Sequence, residues 1–198
     1  MSNLPGSLQL DYGTGTDSRI AVKAAPAAEF DAIIAVPQGV RKVGSGFGWG
    51  GLDEADAILQ HALDEVGQRY AVDPDRIVLT GFSQGGFIAL ALGLRHSGDL
   101  AGVIPVAGPY IPEVDAPTLA REGDAKYYFV AGSRDHAVSD MRRAARDFDA
   151  AGFDVKLRIV PGDGHAFPDD SDRVLTEAVA PLAAAARPSI RRMQRHTD

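Results

Sequence analysis

The sequence contains no cysteine, and this absence excludes disulfides, thiolate metal sites and a cysteine nucleophile. It also lacks any apolar stretch near the ~20 residues that a membrane-spanning helix needs. The N-terminal residues have neither the basic nor the apolar region of a signal peptide. We therefore expect a cytoplasmic protein without a membrane span.

Positive charge is also scarce. Lysine and arginine total 20 against 27 acidic residues, which gives a formal net charge of −7. Binding to nucleic acid requires a basic face, so we expect no nucleic-acid partner. The one local concentration of basic residues is 187–198, which we interpret as a solvated C-terminal tail rather than a docking arm. The preceding residues, 1–186, are predicted to form a single domain.

Short β-rich runs alternate with helical patterns along most of the chain. Apolar runs of the kind found in strands buried on both faces predict strands at 31–37, 75–81, 100–108, 125–132 and 154–162, with a weaker candidate at 7–13. Apolar residues at helical spacing predict helices over 52–66, 84–96, 138–151 and 171–186. This alternation predicts a compact α/β fold whose doubly wound, mostly parallel sheet carries helices on both faces.

The segment Gly81-Phe82-Ser83-Gln84-Gly85 matches G-x-S-x-G and lies between a predicted strand and a predicted helix. A serine on such a sharp turn presents its hydroxyl above the edge of the sheet. Glycines are expected at 81 and 85 because side chains there would clash at the turn. The first amides of the helix point at the serine, where they can stabilise an oxyanion. We predict that Ser83 is a nucleophile; the alternative is a glycine-rich structural turn.

A serine nucleophile needs a base, and the base needs an orienting acid. His165 lies in a loop directly after the last predicted strand, and Asp135 follows the strand that ends at Gly132. In α/β proteins, ligands bind at the loops that follow the carboxyl ends of parallel strands. We therefore predict His165 as the base and Asp135 as the acid. The alternative acids, which lie nearer to His165 in sequence, are Asp163, Asp169 and Asp170.

The other histidines are expected to take structural or surface positions. His136 is adjacent to Asp135 and is expected to point away from it, while the remaining ones are His61, His96 and His196.

Segments 72–94, 129–139 and 162–168 resemble the phospholipase/carboxylesterase family of α/β-hydrolases, which includes acyl-protein thioesterases. The resemblance implies that Ser83, Asp135 and His165 are nucleophile, acid and base. It also implies that Gln84 donates a backbone amide to the oxyanion hole.

The chain departs from that family near its N-terminus. Family members usually carry a His-Gly-x-Gly segment that supplies the second oxyanion amide, and the best match here is Tyr12-Gly13-Thr14-Gly15. Because the donor is a backbone amide, we expect Thr14 to provide it despite the tyrosine. The strand before it is short and polar, so we expect the leading strands of the fold to be missing or strongly reduced.

Only a short connection separates Gly108 from Ala125, which leaves no room for a large cap domain. We expect an open site with an apolar wall for the acyl group, formed by Trp49, Phe47, Tyr110 and Ile111. The alternative is that these side chains pack beneath loops.

Neither a cofactor nor a metal is predicted. Residues 46–51 match G-x-G-x-x-G, but the motif does not directly follow a strand as a dinucleotide loop should. Recognisable metal-ligand spacing is also missing from the sequence.

Two classes of function follow from these patterns. The first is a serine hydrolase that cleaves carboxylic esters or thioesters of small or short-to-medium acyl substrates through an acyl-enzyme at Ser83. The second is a catalytically weak or inactive relative of that fold, with an impaired oxyanion hole and a binding role. The order serine, acid, histidine along the chain favours the hydrolase.

Overall fold

The structure, a computed structural model, describes residues 8–11, 19–27, 30–44, 46–111, 124–168 and 171–183. Within these residues, an antiparallel sheet is formed, in this order, by β1 (Leu8–Asp11), β2 (Arg19–Ala27) and β3 (Phe30–Pro37). An antiparallel hairpin follows, made of β4 (Arg41–Val43) and β5 (Gly46–Gly48). A parallel sheet in chain order is formed by β6 (Val78–Phe82), β7 (Gly102–Val106), β8 (Lys126–Gly132) and β9 (Val155–Val160).

The helices are α1 (Leu52–Arg69), α2 (Gln84–Arg95), α3 (Val138–Ala150) and α4 (Ser171–Ala183), with a short 3₁₀ turn over Pro74–Arg76. Successive side chains of a strand point to opposite faces of the sheet. On one face, Val103 and Phe129 pack with residues of α2 and α3, including Leu90 and Phe148. On the other face, residues of the same strands pack against α4; the buried members of this second cluster include Ile104, Val106, Tyr128, Val130, Val174 and Ala178.

The parallel sheet and the helices on both of its faces confirm the predicted α/β class. The five apolar runs all contain strands, and the weaker candidate at 7–13 contains β1. The prediction missed β2, which has nine residues and pairs with β3 over eight of them. The strand before Tyr12–Gly15 is the four-residue β1, which agrees with the expectation of a short leading strand. Alanines and Pro26 weaken the strand signal of β2.

The core contains one hydroxyl whose removal should stabilise the protein. Tyr127 is 1% exposed, its burial raises its pKa, and its hydroxyl has no hydrogen-bond partner among the described residues. An unpaired buried hydroxyl costs about 1–3 kcal/mol. We expect Tyr127→Phe to raise the free energy of unfolding by about 1 kcal/mol, since the ring contacts with Phe148 and Phe153 remain. Urea unfolding with an unchanged m-value measures this; a lower free energy would show that the hydroxyl is paired.

Candidate active site

Ser83 occupies a strained turn between β6 and α2. Its φ of 54° and ψ of −117° lie in a region that residues other than glycine rarely adopt. The backbone on both sides holds this conformation. The Ser83 N–H donates to the carbonyl of Val106 at 2.9 Å, and the Ser83 carbonyl accepts from the N–H groups of Gly86 and Phe87 at 2.9 and 3.1 Å.

The glycines around Ser83 permit close approach of backbone segments. A Cβ on Gly81 would lie 2.1 Å from the carbonyl oxygen of Gly85, and one on Gly86 would lie 2.8 Å from that of Val106. A Cβ on Gly85 would meet nothing within 4 Å beyond its own helix. The steric prediction is therefore confirmed for Gly81 and wrong for Gly85, whose own backbone is the obstacle that Gly81 must avoid.

This difference supplies a matched pair of substitutions. Gly81→Ala should lower the free energy of unfolding by about 2 kcal/mol or more, because backbone must move to admit the Cβ. Gly85→Ala adds its methyl to open space at the start of α2, where alanine favours the helix, so its stability should not fall. Thermal and urea unfolding of both variants check the prediction. Equal losses for the two variants would contradict this account of the turn.

Three side chains from three loops meet at this turn. His165 Nε2 lies 2.9 Å from Ser83 Oγ, and His165 Nδ1 lies 3.0 and 3.1 Å from the two carboxylate oxygens of Asp135. The Asp135 side chain is fully buried and also accepts the N–H of Ala137 at 2.8 Å. Because an ionised carboxylate only accepts, Nδ1 carries the imidazole proton and Nε2 is left to accept from the serine hydroxyl.

The loops that carry Asp135 and His165 are hydrogen-bonded to each other. Arg134 N–H donates to the carbonyl of Asp163 at 2.8 Å, and Gly162 N–H donates to Ser133 Oγ at 2.8 Å. A Cβ on Gly132 would lie 2.4 Å from the same Asp163 carbonyl, so glycine is required there. Among the alternative acids, Asp163 contacts the Asp135 loop through its backbone carbonyl, which accepts the Arg134 N–H. Asp169 and Asp170 lie outside the described residues.

Aromatic rings that sequence reasoning missed surround His165. The Phe82 ring lies 5.0 Å from the imidazole, centroid to centroid, and Phe167 packs edge-on against Phe82 at 6.2 Å. The His136 ring lies 4.2 Å from that of His165, and His136 Nδ1 is 3.5 Å from Asp135 Oδ1. The expectation that His136 points away is therefore wrong.

The cause is a tight turn in which the Asp135 side chain accepts the N–H two residues later. The sequence did indicate that Phe82 lies near the site, since it is the first variable position of G-x-S-x-G.

The remaining histidines lie away from this cluster or outside the described residues. His96, just after α2, places Nε2 2.7 Å from Asp56 of α1. His61 lies within α1, and His196 is outside the described residues.

Asp135, His136 and His165 also stand close enough to ligate one metal ion, with ligand atoms within 4.8 Å of one another. An ion there would compete with the Nδ1 proton of His165 for the Asp135 carboxylate.

A half-open cavity of about 260 Å³ adjoins Ser83. Its lining consists of Ser83, Gln84, Phe87, Ala107, Pro109, Ile111, His136, Ala137, Asp140 and His165. Gln84 is the first residue of α2, so its N–H is among the helix amides that have no partner within the helix. Thr14, the other predicted oxyanion donor, lies outside the described residues with the rest of Tyr12–Gly15.

The predicted apolar wall is only partly assembled at this cavity. Ile111 lines it, whereas the Tyr110 side chain is buried and packs edge-on against Phe148 at 6.4 Å. Trp49 packs with residues of α1 and α2, and Phe47 is exposed on β5 and is not among the residues that line the cavity. Tyr110 is thus a core residue, and the cavity's apolar side comes instead from Phe87, Pro109 and Ile111.

Comparisons with known proteins agree with this geometry. The family model described as "Dienelactone hydrolase family" matches residues 31–194. Acyl-protein thioesterase 1 of Gibberella zeae is 32% identical over 124 residues, which cover 59% of this chain and 51% of that protein. The chain spans about half the length of the curated relatives it matches. The resemblance to α/β-hydrolase esterases predicted from the sequence is thereby confirmed.

Solved structures share the fold. The crystal structure of esterase PE8 has a TM-score of 0.67 at 22% identity and covers 78% of this chain and 80% of its own. The carboxylesterase of Bacillus cereus has a TM-score of 0.60 at 18% identity, with 80% of each chain covered. Across the described part of the chain, the helices are too short or too polar to traverse a bilayer.

Proposed function

We propose that this chain, which belongs to the dienelactone hydrolase family, cleaves carboxylic esters through an acyl-enzyme at Ser83. The observation that carries the proposal is the continuous hydrogen-bonded series from the buried Asp135 through His165 to Ser83. A serine hydroxyl is a poor nucleophile alone, and such a series is what makes it reactive.

The first half-reaction transfers the acyl group to the protein. Ser83 Oγ attacks the substrate carbonyl carbon while His165 Nε2 takes the hydroxyl proton, and Asp135 stabilises the imidazolium that results. The carbonyl oxygen becomes an oxyanion beside the start of α2, where the Gln84 amide is the proposed donor. When the intermediate collapses, the bond to the leaving oxygen breaks and His165 returns its proton to the departing alcohol.

The second half-reaction regenerates the enzyme. A water molecule loses its proton to His165 Nε2 as its oxygen attacks the acyl carbon. Collapse of this second intermediate breaks the bond to Ser83 Oγ, which recovers its proton from His165, and the carboxylic acid leaves.

The cavity favours small or short-to-medium acyl groups. Its volume is about 260 Å³ and its apolar wall is limited to Phe87, Pro109 and Ile111. A thioester would react by the same steps with a thiol as leaving group, and one relative is named as a thioesterase.

The test pairs an oxygen ester with a thioester of the same acyl group. We expect the purified protein to hydrolyse p-nitrophenyl butyrate, and S-butyryl-N-acetylcysteamine measures thioester cleavage in parallel. Acid quenching during turnover, followed by peptide mass spectrometry, should find a butyryl group on the peptide that contains Ser83. Failure to turn over either substrate, or acylation of another residue, would refute the proposal.

A further inference from the structure

The cavity beside Ser83 contains a carboxylate that the proposed mechanism does not use. Asp140 lies in the first turn of α3, is half-buried, and lines the cavity together with Pro109 and Ile111. Its Oδ2 accepts the backbone N–H of Tyr110 at 3.4 Å, which is a long contact. A carboxylate in a substrate pocket bears directly on which substrates the pocket accepts.

Few positive charges oppose Asp140. Neither lysine nor arginine is among the described residues that line the cavity. The N-termini of α2 and α3 each contribute a partial positive charge of roughly half a unit, which is spread over several amides. Among the described residues of the lining, Asp140 is therefore the one that brings a carboxylate to the cavity.

We propose that Asp140 is a specificity-determining residue that disfavours substrates with an anionic group in the cavity and favours neutral or cationic ones. This inference rests on the proposed function, because it assigns the substrate class of the same site. Two unit charges a few ångströms apart at a partly solvated site change a binding or activation equilibrium by about tenfold. Added salt should reduce this preference, since the cavity is open to solvent.

The acyl side is tested with two matched esters at about pH 8, where a free carboxylic acid on a substrate is fully ionised. The neutral ester is p-nitrophenyl pentanoate, and its anionic counterpart is mono-p-nitrophenyl adipate, which ends in a free carboxylate. We expect the parent protein to prefer the neutral ester in kcat/KM by about tenfold. Asp140→Asn should remove most of this preference. The ratio of the two rates cancels any effect common to both esters.

A matched control removes the same charge elsewhere on α3. Asp149 is exposed near the end of the helix and is absent from the cavity lining, so Asp149→Asn should keep the parent's preference. The alcohol side is tested with acetylcholine and its neutral isostere 3,3-dimethylbutyl acetate, for which the parent should prefer the cation and Asp140→Asn should lose that preference. Circular dichroism confirms that each variant is folded.

The outcomes separate the inference from the proposed function. The inference is supported if Asp140→Asn, but not Asp149→Asn, weakens the preference for the neutral over the anionic ester or for the cationic over the neutral ester. The series that responds identifies the substrate group that occupies the cavity. Hydrolysis of neutral esters with both ratios unchanged in Asp140→Asn overturns the inference and leaves the proposed function intact. Absence of hydrolysis of every ester by the parent overturns both.

Discussion

Replacing Ser83 with alanine is expected to lower kcat for ester hydrolysis by about 10⁴-fold or more. The substitution removes the hydroxyl oxygen that lies 2.9 Å from His165 Nε2. Alanine keeps a Cβ at the φ of 54°, so the turn and its strain should persist. The measurement is the steady-state rate with p-nitrophenyl butyrate, with circular dichroism and thermal unfolding to verify the fold.

Ser83→Gly is the matched control for this experiment. It also lacks the hydroxyl, so its turnover should fall by the same factor, but glycine adopts a positive φ without strain. The glycine variant should therefore unfold at a higher temperature than Ser83→Ala. Turnover retained by both variants would show that another residue is the nucleophile.

Replacing Asp135 with asparagine is expected to lower kcat by about 10⁴-fold. The asparagine amide can donate a hydrogen bond to His165 Nδ1, which the carboxylate cannot. The imidazole would then carry its proton on Nε2 and could no longer accept the proton of Ser83. A neutral amide would also fail to stabilise the imidazolium. The measurement is again hydrolysis of p-nitrophenyl butyrate.

Asp163→Asn tests the choice of acid. Asp163 contacts the neighbouring loop through its backbone carbonyl, which the substitution retains, so its turnover should fall by less than about tenfold. If Asp163→Asn instead lost activity while Asp135→Asn kept it, the assignment of the acid would be wrong.

The sequence was sufficient to predict that the three central side chains lie close together. Ser83, Asp135 and His165 each follow an apolar run, and those runs are β6, β8 and β9 of one parallel sheet. The carboxyl ends of parallel strands share an edge, so residues far apart in the chain meet there. Strand ends are encoded locally, which is why this part of the site could be predicted.

Features that depend on side-chain direction could not be predicted in the same way. Tyr110 and Ile111 are adjacent, yet one enters the core and the other lines the cavity. His136 approaches His165 because the turn after Asp135 folds back on itself. Asp140 reaches the cavity because α3 begins beside it, and a surface position on a helix gives no sequence signal of that placement.

The β2 strand shows where the prediction of secondary structure from the sequence fails. Its residues Arg19–Ala27 carry little β-branched or aromatic character, and pairing with β1 and β3 on both sides supports the strand. Tertiary pairing overrode a weak local preference.

Covalent labelling of the purified protein with a fluorophosphonate probe tests the central claim most directly. Such a probe reacts with a serine only where a base and an oxyanion site activate it, and peptide mapping locates the adduct. We predict one adduct per chain, on Ser83, absent from Ser83→Ala. A folded protein that takes up no probe, or takes it up on another residue, would contradict the account.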